Sequence, residues 1–307
     1  MGEISSEIKV LSSLDSHNLA AYSKISGFVK LTKFRLSFLV VLSAVISYFT
    51  LSKDFDFARL GALILGGFMV TGAANGFNQI IEKRRDALMT RTAGRPLPQH
   101  ILNNKEALLF CAFFALIGIG TLSFFINWLA GILGAISVLL YTLAYTPLKS
   151  KTPFSVFVGA FPGAIPTLIG AVSAGSGNFT FPAWLLFGVQ FIWQFPHFWA
   201  IAWVSHDDYR KAGFFMLPSP LGRDKSSAFQ IVIYSIFLIP VSLLPMMFGV
   251  SNLISGLFVA IFGVLFLLQA VRLYILSDIA SARRLMFGSF FYLPLTQLCI
   301  MFGTIWK

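Results

Sequence analysis

The chain has 307 residues, of which 57% are apolar and only 11% charged, and its mean hydropathy is +0.80. A soluble domain carries about 25% charged residues, so a soluble globular protein is excluded, and continuous rather than alternating apolar runs exclude a β-barrel. The formal charge of +11 fits the loop bias of a membrane protein. No basic run interleaved with aromatics stands on a soluble module, so no nucleic-acid partner is expected.

In chain order, residues 1–35 form a tail containing Glu3, Glu7 and Asp15, acids that argue against a cleaved transit peptide. It has no apolar core of a signal peptide either. Met1-Gly2 with Ser6 matches the myristoylation pattern, an anchor that a polytopic protein does not need. At about 20 apolar residues per span, nine spans are predicted, near 36–51, 58–80, 107–126, 128–146, 153–174, 181–204, 228–250, 252–274 and 285–305. With the N-terminus cytoplasmic, 20 of the 23 basic residues fall in the tail and the even-numbered connections, leaving only Lys53, Arg59 and Lys307 on the other side. The expected organisation is therefore all-α: a cytoplasmic tail 1–35 and one nine-helix domain, 36–307, in a lipid bilayer. Cys111 and Cys299 both fall in spans and read as inert apolar residues.

The outer connections near Asn127, 175–180 and 251–252 are short and almost uncharged, whereas the inner connections 81–106 and 205–227 are long and charged. Function is expected between these two inner loops. At the end of the second span, in NQIIEKRRDALMTRTAGRPLP (78–98), Asn78, Glu82 and Asp86 recur every four residues. A continuing helix carries them up one stripe. Lys83, Arg84, Arg85, Arg91 and Arg95 surround it. Hard oxygen ligands beside forked cations are what a magnesium-bridged diphosphate requires, and beside a membrane they suggest a lipid-tailed one. Asp207 and Asp208 follow the sixth span on the same side. They read either as a facing metal shell or as carboxylates balancing nearby Arg and Lys in water.

Lys33 and Arg35 precede the first span, and Lys149 and Lys151 follow Tyr145 in YTPLKSK. Both pairs serve equally as positive-inside anchors. Prolines 162, 166, 196, 240, 245 and 294 interrupt spans, and GAFPGAIPTLIGA (159–171) supplies small residues for close helix approach. That pattern fits broken helices around a cavity or ordinary membrane packing. His197 lies within the sixth span among Trp193, Phe195, Phe198, Trp199 and Trp203. A membrane histidine is a candidate functional residue, or a neutral imidazole bonded to a freed carbonyl.

Together, N-x3-E-x3-D-x2-M-x-R-T-x2-R-P-L at 78–97, YTPLK at 145–149, and PHFWAIA with DDYRKAGFFMLP at 196–218 resemble the intramembrane aromatic prenyltransferases related to 4-hydroxybenzoate polyprenyltransferase. The M-x-R-T-x2-R-P and PHFW pieces are similar to the heme branch of that superfamily rather than the quinone branch. The resemblance covers the chain from about residue 30 onward. It implies nine helices around a central cavity, capped by loops 81–106 and 205–227, in a bacterial cytoplasmic membrane. It also implies transfer of farnesyl from farnesyl diphosphate to a vinyl group of heme b, giving heme o for heme-copper oxidases, with heme a synthase or oxidase assembly factors as possible partners. Carried onto this sequence, Mg²⁺ would be held by Asn78, Glu82, Asp86, Asp207 and Asp208, of which Glu82, Asp86 and Asp208 are catalytic. Lys33, Arg35, Arg91, Arg95 and Lys149 would hold diphosphate, and His197 the heme, as axial ligand or propionate partner. Glu82 stands where most of the superfamily has Asp. Val204 precedes Asp208 by four residues where the wider superfamily has a second acid, leaving that shell incomplete. The competing readings are a quinone-type aromatic prenyltransferase, a secondary transporter, and a heme chaperone without catalysis.

Overall fold

The computed structural model describes residues 23–175 and 177–305. The acids of the tail and the myristoylation pattern lie outside the described residues. Among the described residues, nine helices are long and apolar enough to cross a membrane: α1 (Ser23–Leu51), α2 (Phe57–Asp86), α3 (Asn104–Phe125), α4 (Trp128–Leu148), α5 (Ser155–Ser173), α6 (Phe181–Val204), α8 (Lys225–Met247), α9 (Leu253–Leu276) and α10 (Ile279–Thr304). A short helix, α7 (His206–Lys211), lies in the second long loop.

The first span starts at Ser23 rather than 36, which corrects the short first span. Lys24, Lys30, Lys33 and Arg35 depress the hydropathy of its early turns. Its other face is apolar: Leu31 is buried against Leu97, Leu102, Ala107 and Cys111. At Lys33 the chain adopts φ 47°, ψ 58°, the left-handed region that a non-glycine residue seldom occupies. The helix is interrupted there and resumes at Phe34.

Side chains in the short outer connections close the next helices. Asn127 accepts from Ala130 N at 2.8 Å, Thr180 from Ala183 N at 3.4 Å, and Asn252 from Ser255 N at 2.9 Å. Each satisfies a donor left open at a helix start. At the inner face, Asn103 and Glu106 form a reciprocal capping box on α3.

Consecutive spans pack against each other and α10 returns to α1, closing the bundle; α5 and α6 are the most enclosed helices and α3 the least. Lipid tails give apolar helices no drive to associate, so close approach relies on small residues. A Cβ at Gly170 would sit 2.0 Å from the Ala44 carbonyl oxygen, and one at Gly159 2.6 Å from the Tyr145 ring. Pro166 lacks the N–H that would pair with the Pro162 carbonyl, and Ser137 Oγ donates to that oxygen at 3.4 Å. In α4 the residues Leu140–Tyr145 form a π-turn, ahead of Pro147, which has no N–H to close an α-turn onto Leu143. The wider turn rotates the last residues of the helix, bringing Thr146 and Lys149 to the inner end of α2.

Candidate active site

The α2 helix continues to Asp86, so the four-residue spacing does place Asn78, Glu82 and Asp86 on one inward stripe. They are 2%, 3% and 0% exposed. Buried carboxylates need partners, and each has one from a distant segment. Arg95 Nη1 donates to Asp86 Oδ1 at 2.8 Å and Oδ2 at 2.7 Å. The loop folds back to allow this: Thr92 Oγ1 donates to Asp86 O at 2.9 Å, and Arg95 N to Thr92 O at 3.0 Å. Both bonds to Asp86 use one guanidinium nitrogen, leaving donors on Nε and Nη2 for another anion.

Lys149 Nζ lies 2.5 Å from Glu82 Oε1. This is a close ion pair rather than a well-directed hydrogen bond, and Oε1 remains buried without a hydrogen-bond donor. Burial pushes the Lys149 ammonium below the ordinary lysine range, and the Glu82 charge opposes that shift. Asn78 Nδ2 donates to Thr146 Oγ1 at 3.0 Å, and Gln79 Nε2 to Leu31 O at 2.8 Å. Lys33, turned by its left-handed backbone, is within electrostatic reach of Glu82, Asp86, Arg95 and Lys149. Arg35 is exposed and does not join this cluster.

The adjacent acids of the second loop diverge. Asp208 Oδ2 accepts from Arg91 N at 3.1 Å, and that bond first, with help from Thr90 and Lys211, holds its carboxyl below the usual range. Asp207 instead pairs with Arg223 Nη1 at 3.0 Å. Arg223 also donates from Nε to Trp203 O at 2.7 Å and from Nη2 to Val204 O at 3.3 Å, closing the end of α6. The expected shell of five ligands is thus not assembled: among the described residues no group of three or more His, Cys, Asp or Glu side chains is positioned to hold a metal ion. The residues that fit one are Glu82, Asp86 and Asn78, whose side-chain oxygens are hard donors on one buried stripe. Mg²⁺ keeps substrate phosphates and waters among its ligands and needs only one or two carboxylates from protein.

The two long loops meet over the cluster. Phe215 N donates to Lys149 O at 2.8 Å. The Phe214 ring lies 5.3 Å from Lys149 Nζ and 5.4 Å from the Arg85 guanidinium, and Arg91 stands 5.9 Å from the Tyr209 ring. Tyr145 lies under Lys149 at 4.9 Å. Phe214 and Thr146 are not among the site residues expected from the sequence, although both lie in the stretches DDYRKAGFFMLP and YTPLK that carry the resemblance.

His197 is 8% exposed, stacked on Trp193 with centroids 4.1 Å apart and edge-on to Phe290 at 5.2 Å. Its Nδ1 lies 2.7 Å from Ser289 Oγ, so the partner is a hydroxyl and not a freed carbonyl. Ser289 Oγ donates to Met286 O at 2.6 Å. A hydroxyl has one proton, so Nδ1–H must donate to Ser289, and Nε2 carries the lone pair.

The UbiA prenyltransferase family model matches residues 38–293. A protoheme IX farnesyltransferase of Christiangramia forsetii is 45% identical over 287 residues, covering 92% of this chain and 94% of that protein. A solved structure of digeranylgeranylglyceryl phosphate synthase superposes with TM-score 0.77 at 20% identity, over 92% of this chain and 99% of the other. A UbiA homolog from Archaeoglobus fulgidus bound to DMAPP and Mg²⁺ gives 0.68 at 13% identity, over 89% and 99%. With that match across most of its length, this nine-span chain belongs to the UbiA prenyltransferase family.

Proposed function

We propose that the chain transfers a farnesyl group from farnesyl diphosphate to a vinyl group of heme b, releasing diphosphate and giving heme o, at a bacterial cytoplasmic membrane. The observation that carries this reading is the pair of buried carboxylate–cation contacts, Glu82–Lys149 and Asp86–Arg95, at the inner end of a membrane bundle. The heme specificity rests on the relatives named protoheme IX farnesyltransferase.

Lys33, Arg95 and Lys149 would hold the diphosphate oxygens, with Arg91 at the rim, and their fixed positive charge would stabilise the leaving group as the allylic C–O bond breaks. The electron pair of that bond departs on diphosphate. The terminal vinyl carbon forms the new C–C bond, and water adds to the adjacent carbon with loss of one proton, leaving a hydroxyethyl-farnesyl substituent. Mg²⁺, held through Glu82, Asp86 and Asn78, would supply further charge neutralisation at the phosphates. The aromatic lining of Tyr145, Phe198 and Trp193 would keep water from the cation and prevent its loss as farnesol. His197 would meet the heme iron through Nε2, the nitrogen that the Ser289 bond leaves with its lone pair. Fifteen buried carbons of the prenyl chain, at about 0.8 kcal/mol each, give on the order of 10 kcal/mol as an upper bound for tail binding.

The test is incubation of purified protein with farnesyl diphosphate, heme b and Mg²⁺, and then mass spectrometry. A farnesyl-heme mass that disappears with EDTA is expected. Prenylation of 4-hydroxybenzoate with no heme product would move the chain to the quinone branch and remove His197 from the site.

A further inference from the structure

Away from the carboxylate cluster, a cavity of about 550 Å³ opens between α9 and α10, lined by Leu268, Gln269 and Arg272 from one helix and Ser281, Arg284, Phe287, Gly288 and Phe291 from the other. It lies at the same end of the bundle as the long loops, because Lys225, at the start of α8, donates to Ile275 O at the end of α9 at 2.9 Å. The positive-inside count makes that end cytoplasmic.

Its chemistry is graded along the membrane normal. Arg272 and Arg284 stand at the mouth. Four residues deeper along α9 is Leu268, and seven deeper along α10 is Phe291, about 6 and 10 Å away at 1.5 Å per residue. Leu268, Phe287 and Phe291 are 58%, 52% and 67% exposed, with side chains turned toward the acyl region. Among the described residues neither guanidinium has an ion-pair partner within 4.0 Å. The nearby Asp278 is already used: its Oδ1 accepts from Ser281 N at 2.6 Å to start α10. With Arg283 exposed beside them, three cations face that one carboxylate. Gln269 adds a second feature, an Oε1 buried without a donor. Its amide fits only because residue 288 is glycine, since a Cβ there would lie 2.2 Å from Oε1.

We propose that this groove binds an anionic phospholipid of the cytoplasmic leaflet, with the phosphodiester on Arg272 and Arg284 and the acyl chains along Leu268, Phe287 and Phe291. A basic notch between transmembrane helices on the cytoplasmic side attracts such lipids electrostatically, and the forked donors of arginine match phosphate oxygens. This site neither touches Glu82 or Asp86 nor depends on the reaction assigned to them.

The test is native mass spectrometry of the detergent-purified full chain, titrated with phosphatidylglycerol, phosphatidylcholine or inorganic phosphate. Wild-type protein is expected to retain phosphatidylglycerol selectively, and R272Q/R284Q to bind it about 30-fold more weakly, each arginine contributing about fivefold. R283Q, whose side chain does not line the groove, should weaken binding less than R272Q or R284Q does. Should the double variant fail to fold, the single variants carry the test at fivefold each. Equal retention by wild type and the variants would overturn the proposal, as would displacement of the lipid by inorganic phosphate, which would mark a free-anion site.

Discussion

Replacing Arg95 with Ala would leave Asp86 as an unpaired charge at 0% exposure. Arg95 is itself mostly enclosed, with a side chain 19% exposed, so solvent screens the pair little. Removing one partner of such a pair costs about 3–5 kcal/mol, because the remaining charge is stranded. At about 1.5 °C per kcal/mol for a chain of 307 residues, R95A should lower Tm by roughly 5–8 °C. The double variant D86N/R95Q replaces the ion pair by two neutral amides, whose hydrogen bond is worth about 1 kcal/mol. It should therefore recover most of the stability that R95A loses, while remaining inactive because both groups at the diphosphate are gone. Thermal unfolding monitored by tryptophan fluorescence in one detergent, with farnesyl transfer assayed on the same samples, separates the two effects. An R95A protein that melts within about 2 °C of wild type, or a double variant less stable than R95A, would refute the buried pair as drawn.

In the free enzyme, kcat/KM should fall on the alkaline side before the ordinary lysine value of 10.5, because burial lowers the Lys149 pKa and deprotonation removes a diphosphate contact. The same shift means that the unfolded chain holds more protons in that window, so Lys149 contributes stability that rises with pH between its folded and unfolded pKa values. K149R, which stays charged, should remove the Lys149 contribution to that alkaline limb, and K33R/K149R should remove the limb itself. H197A should abolish the Soret shift seen on heme binding without changing farnesyl diphosphate affinity; S289A should weaken it and S289T restore it, an order that a purely structural serine would not produce. G170A should lose about 1–3 kcal/mol or more, since its new Cβ meets the Ala44 backbone oxygen, whereas G94A, with nothing within 4 Å of its Cβ, should melt as wild type.

The apolar spans were legible because lipid demands about 20 apolar residues from each crossing helix, and six of the nine begin and end within three residues of where hydropathy puts them, while α2 runs on six residues to Asp86 and α10 starts six residues earlier, at Ile279. The first span was not, because its opening turns are amphipathic and its lysines mask an apolar face against Leu97 and Leu102. The shared face of Asn78, Glu82 and Asp86 was legible because it depends only on helical periodicity. Its partners were not: Lys149 is 67 positions from Glu82, and no local rule links a cation after α4 to an acid at the end of α2. The π-turn that makes the link possible is marked only by Pro147. Asp207 and Asp208 show what adjacency hides. Consecutive helical residues point about 100° apart, so the two acids on α7 diverge: Asp208 accepts from the Arg91 backbone N–H and pairs with Lys211, while Asp207 pairs with Arg223.

On the proposed reading, the charges of the cluster account for a divalent ion at a site whose protein ligands are few. Fully protonated, Lys33, Arg95 and Lys149 would give three positive charges against two on Glu82 and Asp86, a net of at most one before substrate binds. A prenyl diphosphate brings roughly three negative charges at neutral pH, since its terminal phosphate loses the second proton near pH 6. Two negative charges would then remain uncancelled in a buried site, where desolvation penalises them. One divalent ion would cancel that excess, with the substrate's own phosphates among its ligands, and would not require a second full acidic shell. In the sequence that economy appears as Val204 in place of an acid. In the structure it appears as Asp207 turned aside to Arg223, where its charge fastens the second loop to the end of α6.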